Sequence, residues 1–405
     1  MIGDGTSARH QSPITAHNSH RHFPRRAIEL AALAALLAKL ACAALTSGTN
    51  DADAFYNFGR FIWEHGLIAQ YRATPEFNHT PLTGWFCALA FGIANGIGFN
   101  FLLRLPGILA DFAIVRLLLR RHDERAVPPW WVLGLIALSP VNFMVSGFHG
   151  NVDSVLAWLL VLAVLECECG RPAWCGLWLG LACNVKIIPL LVAPVFFFHW
   201  LARREARPFF FTASAVILAG WAVPLATIPQ TFLRNVLGYS SNWGSWGVTY
   251  WLNQTPLPAF APAGFDGLTS AELAVMSALK LTIVLATLWL AWRRRTLPAA
   301  EVFSTIALVW LVFFVFAPGI GAQYFVWMAP FLAVASPRSF AAFIVAASVF
   351  LFVFYNTISG GLPWWRGLST AEQLPRWVAW SNVAWLTLTA ILASWLKRAS
   401  VAPKI

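Results

Sequence analysis

Apolar stretches of about 20 residues recur along almost the whole chain, separated by short polar turns. A helix needs about 20 residues to cross a hydrocarbon core ~30 Å thick, so this rhythm predicts membrane-spanning helices. The stretches fall at 27–47, 81–99, 101–119, 129–147, 152–169, 173–184, 187–201, 208–228, 271–292, 299–317, 322–336, 339–357 and 377–396. The expected fold class is an all-α polytopic membrane protein with about 11–13 transmembrane helices. Two places break the rhythm. Segment 81–99 is interrupted by Gly92, Asn95, Gly96 and Gly98 and reads as re-entrant or crossing. Segments 173–184 and 187–201 read as two short helices meeting near Lys186, with Pro189 just beyond.

The polar intervals complete the plan. Residues 1–26 carry no apolar pattern and read as a disordered cytoplasmic tail, 27–396 as the integral-membrane domain, and 397–405 as a second cytoplasmic tail. The first apolar segment is too long for a signal-peptide core and is expected to stay in the protein. Two long polar intervals, 51–78 and 229–270, are expected as external loops.

Composition sharpens this picture. Hydrophobic residues make up 59% of the 405 residues and charged residues only 11%, and mean hydropathy is +0.64. The net charge of +11 raises a nucleic-acid reading, but the basic residues are spread over short loops on the side of the amino-terminal tail. The positive-inside rule accounts for that distribution, and no nucleic-acid partner is expected. Ala-, Trp- and Arg-rich usage fits a bacterial chain, hence a multi-pass protein of the inner (cytoplasmic) membrane. Cys167-Glu-Cys169 has the wrong spacing for a zinc site, and the other four cysteines lie in apolar runs, so small buried side chains are expected there.

With only 17 acidic residues, Asp51-Ala-Asp53 at the mouth of the first span stands out. In an extended backbone both carboxylates address one bound group; on a helix only one does, and either aspartate has the chemistry of a helix cap. The same external face gathers His149-Gly150-Asn151-Val152-Asp153, Lys186 and Gln323-Tyr324. Ionisable residues at membrane depth cost ~2.5–3.5 kcal/mol each on insertion scales, so they pair or line a cavity. Lys186 has two readings, phosphate contact at a helix break or snorkelling to the interface. Asn151 and Asp153 are read either as start signals of a helix or as sugar contacts, and Arg104 with Asp111, seven apart, as a structural ion pair. In loop 229–270, Trp243 and Trp246 lie among amides, which suits sugar stacking and equally an interfacial aromatic belt.

Several of these stretches resemble a known group in order. Asp51-Ala-Asp53, Tyr71-Arg72-Ala73-Thr74, His79-Thr80-Pro81-Leu82-Thr83-Gly84-Trp85, Gly150-Asn151-Val152-Asp153-Ser154, Lys186-Ile187-Ile188-Pro189 and Gln323-Tyr324-Phe325-Val326-Trp327 are similar to patches of GT-C membrane glycosyltransferases. The likeness includes the first mannosyltransferase of GPI-anchor assembly and bacterial polyprenyl-phosphate-mannose mannosyltransferases. It implies a GT-C-like bundle with its active site in extracytoplasmic loops. It also implies a polyprenyl-phosphate sugar donor, most simply mannose, and a glycan or glycolipid acceptor. Asp51 is then the general base, and Asp53 a second carboxylate toward acceptor or a divalent metal; no other cofactor is implied. Lys186 meets the donor phosphate, and His79, Asn151, Asp153, Trp243, Trp246, Gln323 and Tyr324 contact substrate. The amino-terminal tail has no counterpart in that pattern, so the acceptor does not carry over.

Two other classes compete. A flippase of lipid-linked sugars also uses broken helices and a midplane lysine, but would bring an inverted repeat that the two halves do not show. A non-catalytic subunit of a glycosyltransferase complex has no need of the aspartates.

Overall fold

The computed structural model describes residues 19–238, 242–260, 267–368 and 377–401. The described part is almost entirely helical, as an all-α polytopic membrane protein should be. Helix α1 spans Ser19–Leu45 and a two-residue strand β1 comes next at Gly48–Thr49. Then come α2 Asn50–His65, α3 Leu67–Ala73, α4 Pro81–Ile93 and α5 Gly96–Arg125. The middle of the chain contains α6 Trp130–Ala137, α7 Pro140–Asn142, α8 Asp153–Glu168, α9 Pro172–Val185, α10 Ala193–Ala202 and α11 Ala206–Thr227. The remainder is α12 Pro229–Leu237, α13 Gly247–Asn253, α14 Ser270–Arg293, α15 Val302–Phe316, α16 Phe325–Ala335, α17 Pro337–Ile358 and α18 Ser381–Val401. Strand β2, Arg366–Gly367, pairs in parallel with β1.

Six helices among the described residues are long and apolar enough to cross a membrane: Pro24–Leu45, Trp130–His149, Ala206–Thr227, Ser270–Arg293, Ala299–Phe316 and Pro337–Ile358. The other expected spans are shorter, such as α4, or carry charge within them, as α5 does at Arg104 and Asp111. At 1.5 Å per residue α4 is roughly 20 Å long and does not cross by itself. α15 and α16 form the centre, with Trp310, Trp327 and Phe331 fully covered. α11 and α14 instead leave Leu218, Val223, Leu281 and Trp289 open, the pattern of helices that face lipid.

Four expectations change or are decided between open alternatives. The first helix begins at Ser19 rather than 27, because Arg25 is held by Glu29 one turn on, at 3.2 Å, and by Asp123 at the end of α5. Residues 1–18 of the predicted tail and 402–405 of the second lie outside the described residues. The interval 229–270 is not plain loop: it contains α12 and α13, and α12 packs Phe232 on Tyr71 and Trp221. Asp51-Ala-Asp53 is helical, in the first turn of α2, so its two carboxylates diverge. Neither caps that helix; Thr49 holds the cap position and makes no side-chain cap bond.

The fourth change concerns Arg104 and Asp111, which do not pair with each other. Arg104 is fully buried and turns toward the carboxyl-terminal end of α1. Its guanidinium donates to the carbonyls of Ala43 (3.0 Å), Thr46 (2.5 Å), Gly147 (3.1 Å) and Phe148 (3.3 Å) and to Thr46 Oγ1 (2.9 Å). The last carbonyls of a helix lack intrahelical partners and carry partial negative charge, which a buried cation satisfies. Asp111 takes Lys39 at 2.5 Å, Asn142 Nδ2 at 2.8 Å and Ser146 Oγ at 2.6 Å. Spacing of seven along α5 set the common face, but α1 and α7 bring the partners.

Candidate active site

Three chain segments meet where α2 begins. The end of α1 and β1 deliver Asn50 and Asp51. A π-helical turn, Phe143–His149, delivers His149, and the start of α8 delivers Asn151 and Asp153. Such wide turns disturb the regular ladder and recur at functional sites. Thr49 Oγ1 donates to the His149 carbonyl at 2.7 Å and fastens the first two segments. Gly150 then takes φ = 89°, a left-handed conformation, and a Cβ there would stand 3.0 Å from that of Ala52. Glycine is required on both counts.

Asp51 is held by one oxygen. Its Oδ2 accepts from Asn151 Nδ2 at 3.1 Å and from Gln323 Nε2 at 3.4 Å, and lies 3.0 Å from His149 Nε2. No described residue hydrogen-bonds Oδ1, and the carboxylate is about a third exposed, at 32%. Burial raises the carboxyl pKa, but the adjoining His149 imidazole, then Lys186, outweighs it and holds the group at about 2. The carboxylate is therefore ionised throughout the neutral range.

Lys186 ends α9 and faces the same space. Its ammonium is 2.9 Å from both oxygens of Asp153, which is fully buried and also accepts from Trp327 Nε1 at 2.7 Å. The ring of Tyr324 stacks on Trp327 with centroids 4.1 Å apart, and Lys186 Nζ lies 5.4 Å from the Tyr324 centroid. The backbone amide of Lys186 is not free, since it donates to Ala182 at 3.1 Å. The carbonyls at the end of α9 are taken by threonines of the 79–83 motif: Thr80 donates to Asn184, and Thr83 to Val185 at 2.7 Å. That motif thus locks α4 onto the break that bears Lys186.

His79 sits just ahead of this lock, its carbonyl held by Tyr71 Oη at 2.7 Å. Its ring lies 4.7 Å from that of Phe55 and 5.7 Å from that of Phe77. Burial, and then the Lys186 charge, push its pKa down to about 3, so the imidazole is neutral. Its Nδ1 is buried without a hydrogen-bond partner.

Asp51, His79, Asn151, Lys186, Gln323 and Tyr324 all line one cavity of about 720 Å³. The space continues as an apolar trench. One wall is Ile188, Leu190 and Leu191 before α10; the other is Ile283, Val284 and Leu288 on one face of α14. Lys280, one turn before Ile283, lies at the same wall. A carboxylate with a free oxygen, a cation and a hydrocarbon slot in one enclosure match an amphiphilic ligand with a polar reacting end.

The structure does not bring every expected residue there. Asp53 turns outward, 39% exposed, and pairs with Arg366 at 2.6 Å. Trp246 is fully buried and donates to the Phe314 carbonyl at 2.7 Å; Trp243 stacks on Phe260 at 5.9 Å. Neither lines the cavity. Asp153 stands behind Lys186 rather than at the surface of the cavity. Among the described residues no three His, Cys, Asp or Glu side chains are grouped to hold a metal. Sequence reading passed over Tyr355, Trp327 and Phe55. The first is an aromatic in an apolar span and carries no local signal; Trp327 belonged to the 323–327 motif and was recoverable from it.

The comparison with known families agrees with this chemistry. The family model described as Glycosyltransferase family 87 matches residues 77–318, more than half of the chain. The matched stretch takes in His79, Asn151 and Lys186, which line the cavity, and Asp153 behind Lys186. A multi-pass membrane protein with this cavity and this match belongs to glycosyltransferase family 87.

Proposed function

We propose that this membrane glycosyltransferase moves a hexose, mannose by the likeness of its motifs, from a polyprenyl-phosphate donor to a glycan or glycolipid acceptor on the extracytoplasmic face of the inner membrane. The observation that carries the reading is the cavity in which Asp51, Lys186 and an apolar trench meet. The acceptor hydroxyl approaches Asp51 Oδ1, which takes its proton as the oxygen attacks C1 of the sugar. The bond from C1 to the phosphate oxygen breaks, and its electron pair leaves with the polyprenyl phosphate. An ammonium has three N–H donors, and Asp153 engages two of its directions, so the third is available to the departing phosphate. Positive charge that develops on the sugar ring is met by the Asp51 carboxylate.

The trench suits the polyprenyl chain entering sideways from lipid. A tail that leaves one hydrocarbon environment for another gains little free energy, so the trench aligns the donor, while affinity rests with the phosphate and sugar. Asp53 is not part of this chemistry, and Trp243 and Trp246 serve the fold.

The test is the purified protein in lipid with labelled polyprenyl-phosphate mannose, polyprenyl-phosphate glucose and a nucleotide sugar side by side. Transfer to a lipid-linked glycan from a polyprenyl-phosphate sugar is expected, falling ~10²–10⁴-fold in Asp51→Asn. Use of the nucleotide sugar alone would overturn the donor class, and near-normal turnover by Asp51→Asn would overturn the base.

A further inference from the structure

His149 has two partners and only one way to satisfy both while neutral. Its Nε2 faces Asp51 Oδ2 at 3.0 Å, and its Nδ1 lies 3.0 Å from the hydroxyl of Tyr355. Tyr355 comes from α17, is completely buried, and has no other hydrogen-bond partner among the described residues. If Nδ1 bore the proton, the phenol hydrogen would be left buried without an acceptor. The lone pair of Nε2 would also confront the lone pairs of a carboxylate. With the phenol donating to Nδ1, the ring proton is fixed on Nε2 and donates to Asp51.

We infer that Tyr355 and His149 are positioning residues for the Asp51 base. Tyr355 sets the imidazole tautomer, and the imidazole clamps Oδ2 so that Oδ1 faces the acceptor. The inference rests on the reading of Asp51 as base. The clamp is braced from behind: Phe148 stacks edge-on to Tyr355 at 5.7 Å, and its carbonyl is one of those that Arg104 holds. Neither residue touches the donor space, since the cavity is lined by Asp51 and Asn151 but not by His149 or Tyr355.

Tyr355→Phe removes one hydroxyl and keeps the ring. The imidazole then keeps only one of its two tautomer constraints, the Asp51 carboxylate, and kcat should fall roughly 3- to 10-fold near pH 8, the worth of one hydrogen bond, with the donor KM unchanged. The titratable groups that interact with this ring are Asp51 of α2 and Asp153 of α8 by charge and Tyr355 of α17 by its hydroxyl. All but Tyr355 are kept in the variant.

His149→Leu should cost roughly 10- to 100-fold in kcat, and His149→Gln, whose amide can donate to Oδ2, should regain part of it. Melting temperature in detergent is measured for each. The inference is overturned if Tyr355→Phe keeps wild-type kcat at pH 8. It is equally overturned if His149→Gln is no better than His149→Leu. Failure of the base reading looks different, because there Asp51→Asn itself would turn over.

Discussion

Lys186→Met is the substitution that most directly probes donor recognition, and the structure shows why it cannot be read alone. The change keeps an unbranched apolar stem but leaves Asp153, fully buried, with only the Trp327 N–H as partner. Removing one member of a buried ion pair costs ~3–5 kcal/mol, because the other charge is stranded. Protonation of Asp153 offers no cheaper escape: a carboxylate of ordinary acidity takes up a proton at pH 7 at a cost of about 4 kcal/mol. The single variant should therefore be less stable by that amount. Its kinetic defect mixes lost phosphate contact with a disturbed fold. Asp153→Asn in the same chain removes the stranded charge and still accepts from Trp327, so the double variant should recover most of the stability. What stays lost in it is the contact with phosphate. A charge-assisted hydrogen bond of ~1.5–3 kcal/mol corresponds to a roughly 10- to 100-fold fall in donor kcat/KM. Melting curves in nanodiscs and initial rates over a range of polyprenyl-phosphate-sugar concentrations give both quantities for the wild type, the two singles and the double. A double variant with wild-type donor kcat/KM would refute the phosphate role of Lys186. A single Lys186→Met variant as stable as wild type would refute the structural pairing.

Three further outcomes are expected. Asp53→Asn should lower kcat less than twofold, since its exposed pair with Arg366 is worth ~0–1 kcal/mol, whereas a defect like that of Asp51→Asn would place Asp53 in the chemistry. Because Asp51 is held at about 2, below its ordinary value, its basic form persists as pH falls through 5 and 4; a plot of kcat/KM against pH should show no acid limb near pH 4–5, and one that vanished in Asp51→Glu would contradict the assignment. Gly150→Ala puts a methyl 3.0 Å from Ala52 in a left-handed backbone; it should destabilise the protein by ~1 kcal/mol or more and lower kcat with it, measurable as a shift in melting temperature alongside the rate.

Hydropathy made most of the helices legible, because a membrane imposes the same length and apolarity on every crossing element. Scarcity of charge pointed at Asp51 and Lys186 for a related reason: an ionisable residue beside hydrocarbon needs a partner or a task. What the chain could not display locally was who the partners are. Arg104 and Asp111 share a face of α5, but their contacts come from α1, α7 and the π-helical turn. Tyr355 reads as one more aromatic in an apolar span until the fold sets it against His149. Trp243 and Trp246 carried the composition of a sugar site but went to a loop stack on Phe260 and to the core, where Trp246 donates its N–H to a carbonyl rather than to a sugar hydroxyl. The backbone state of residues 51–53 also needed the fold, because only the packing of α2 on α4 separates a helical turn from an extended one there.

The long reach of the bonds around Asp51 bears on how the protein is made. Apart from Asn100 one turn before it, Arg104 finds its acceptors 43 to 61 residues away, all but two of them already synthesised when it emerges. His149 is 98 residues from Asp51, Gln323 is 272, and Tyr355 is a further 206 beyond His149. At ~5–20 residues per second of translation, Gln323 emerges after Asp51 by roughly 15–55 s, whereas the Arg104 knot closes within roughly 2–9 s of that arginine's synthesis. The scaffold is in the membrane early, and Asp51 acquires its full set of donors last. A nascent or truncated chain then lacks the bonds that Gln323 gives Asp51 and Tyr355 gives His149, which arrive only with the carboxyl-terminal helices.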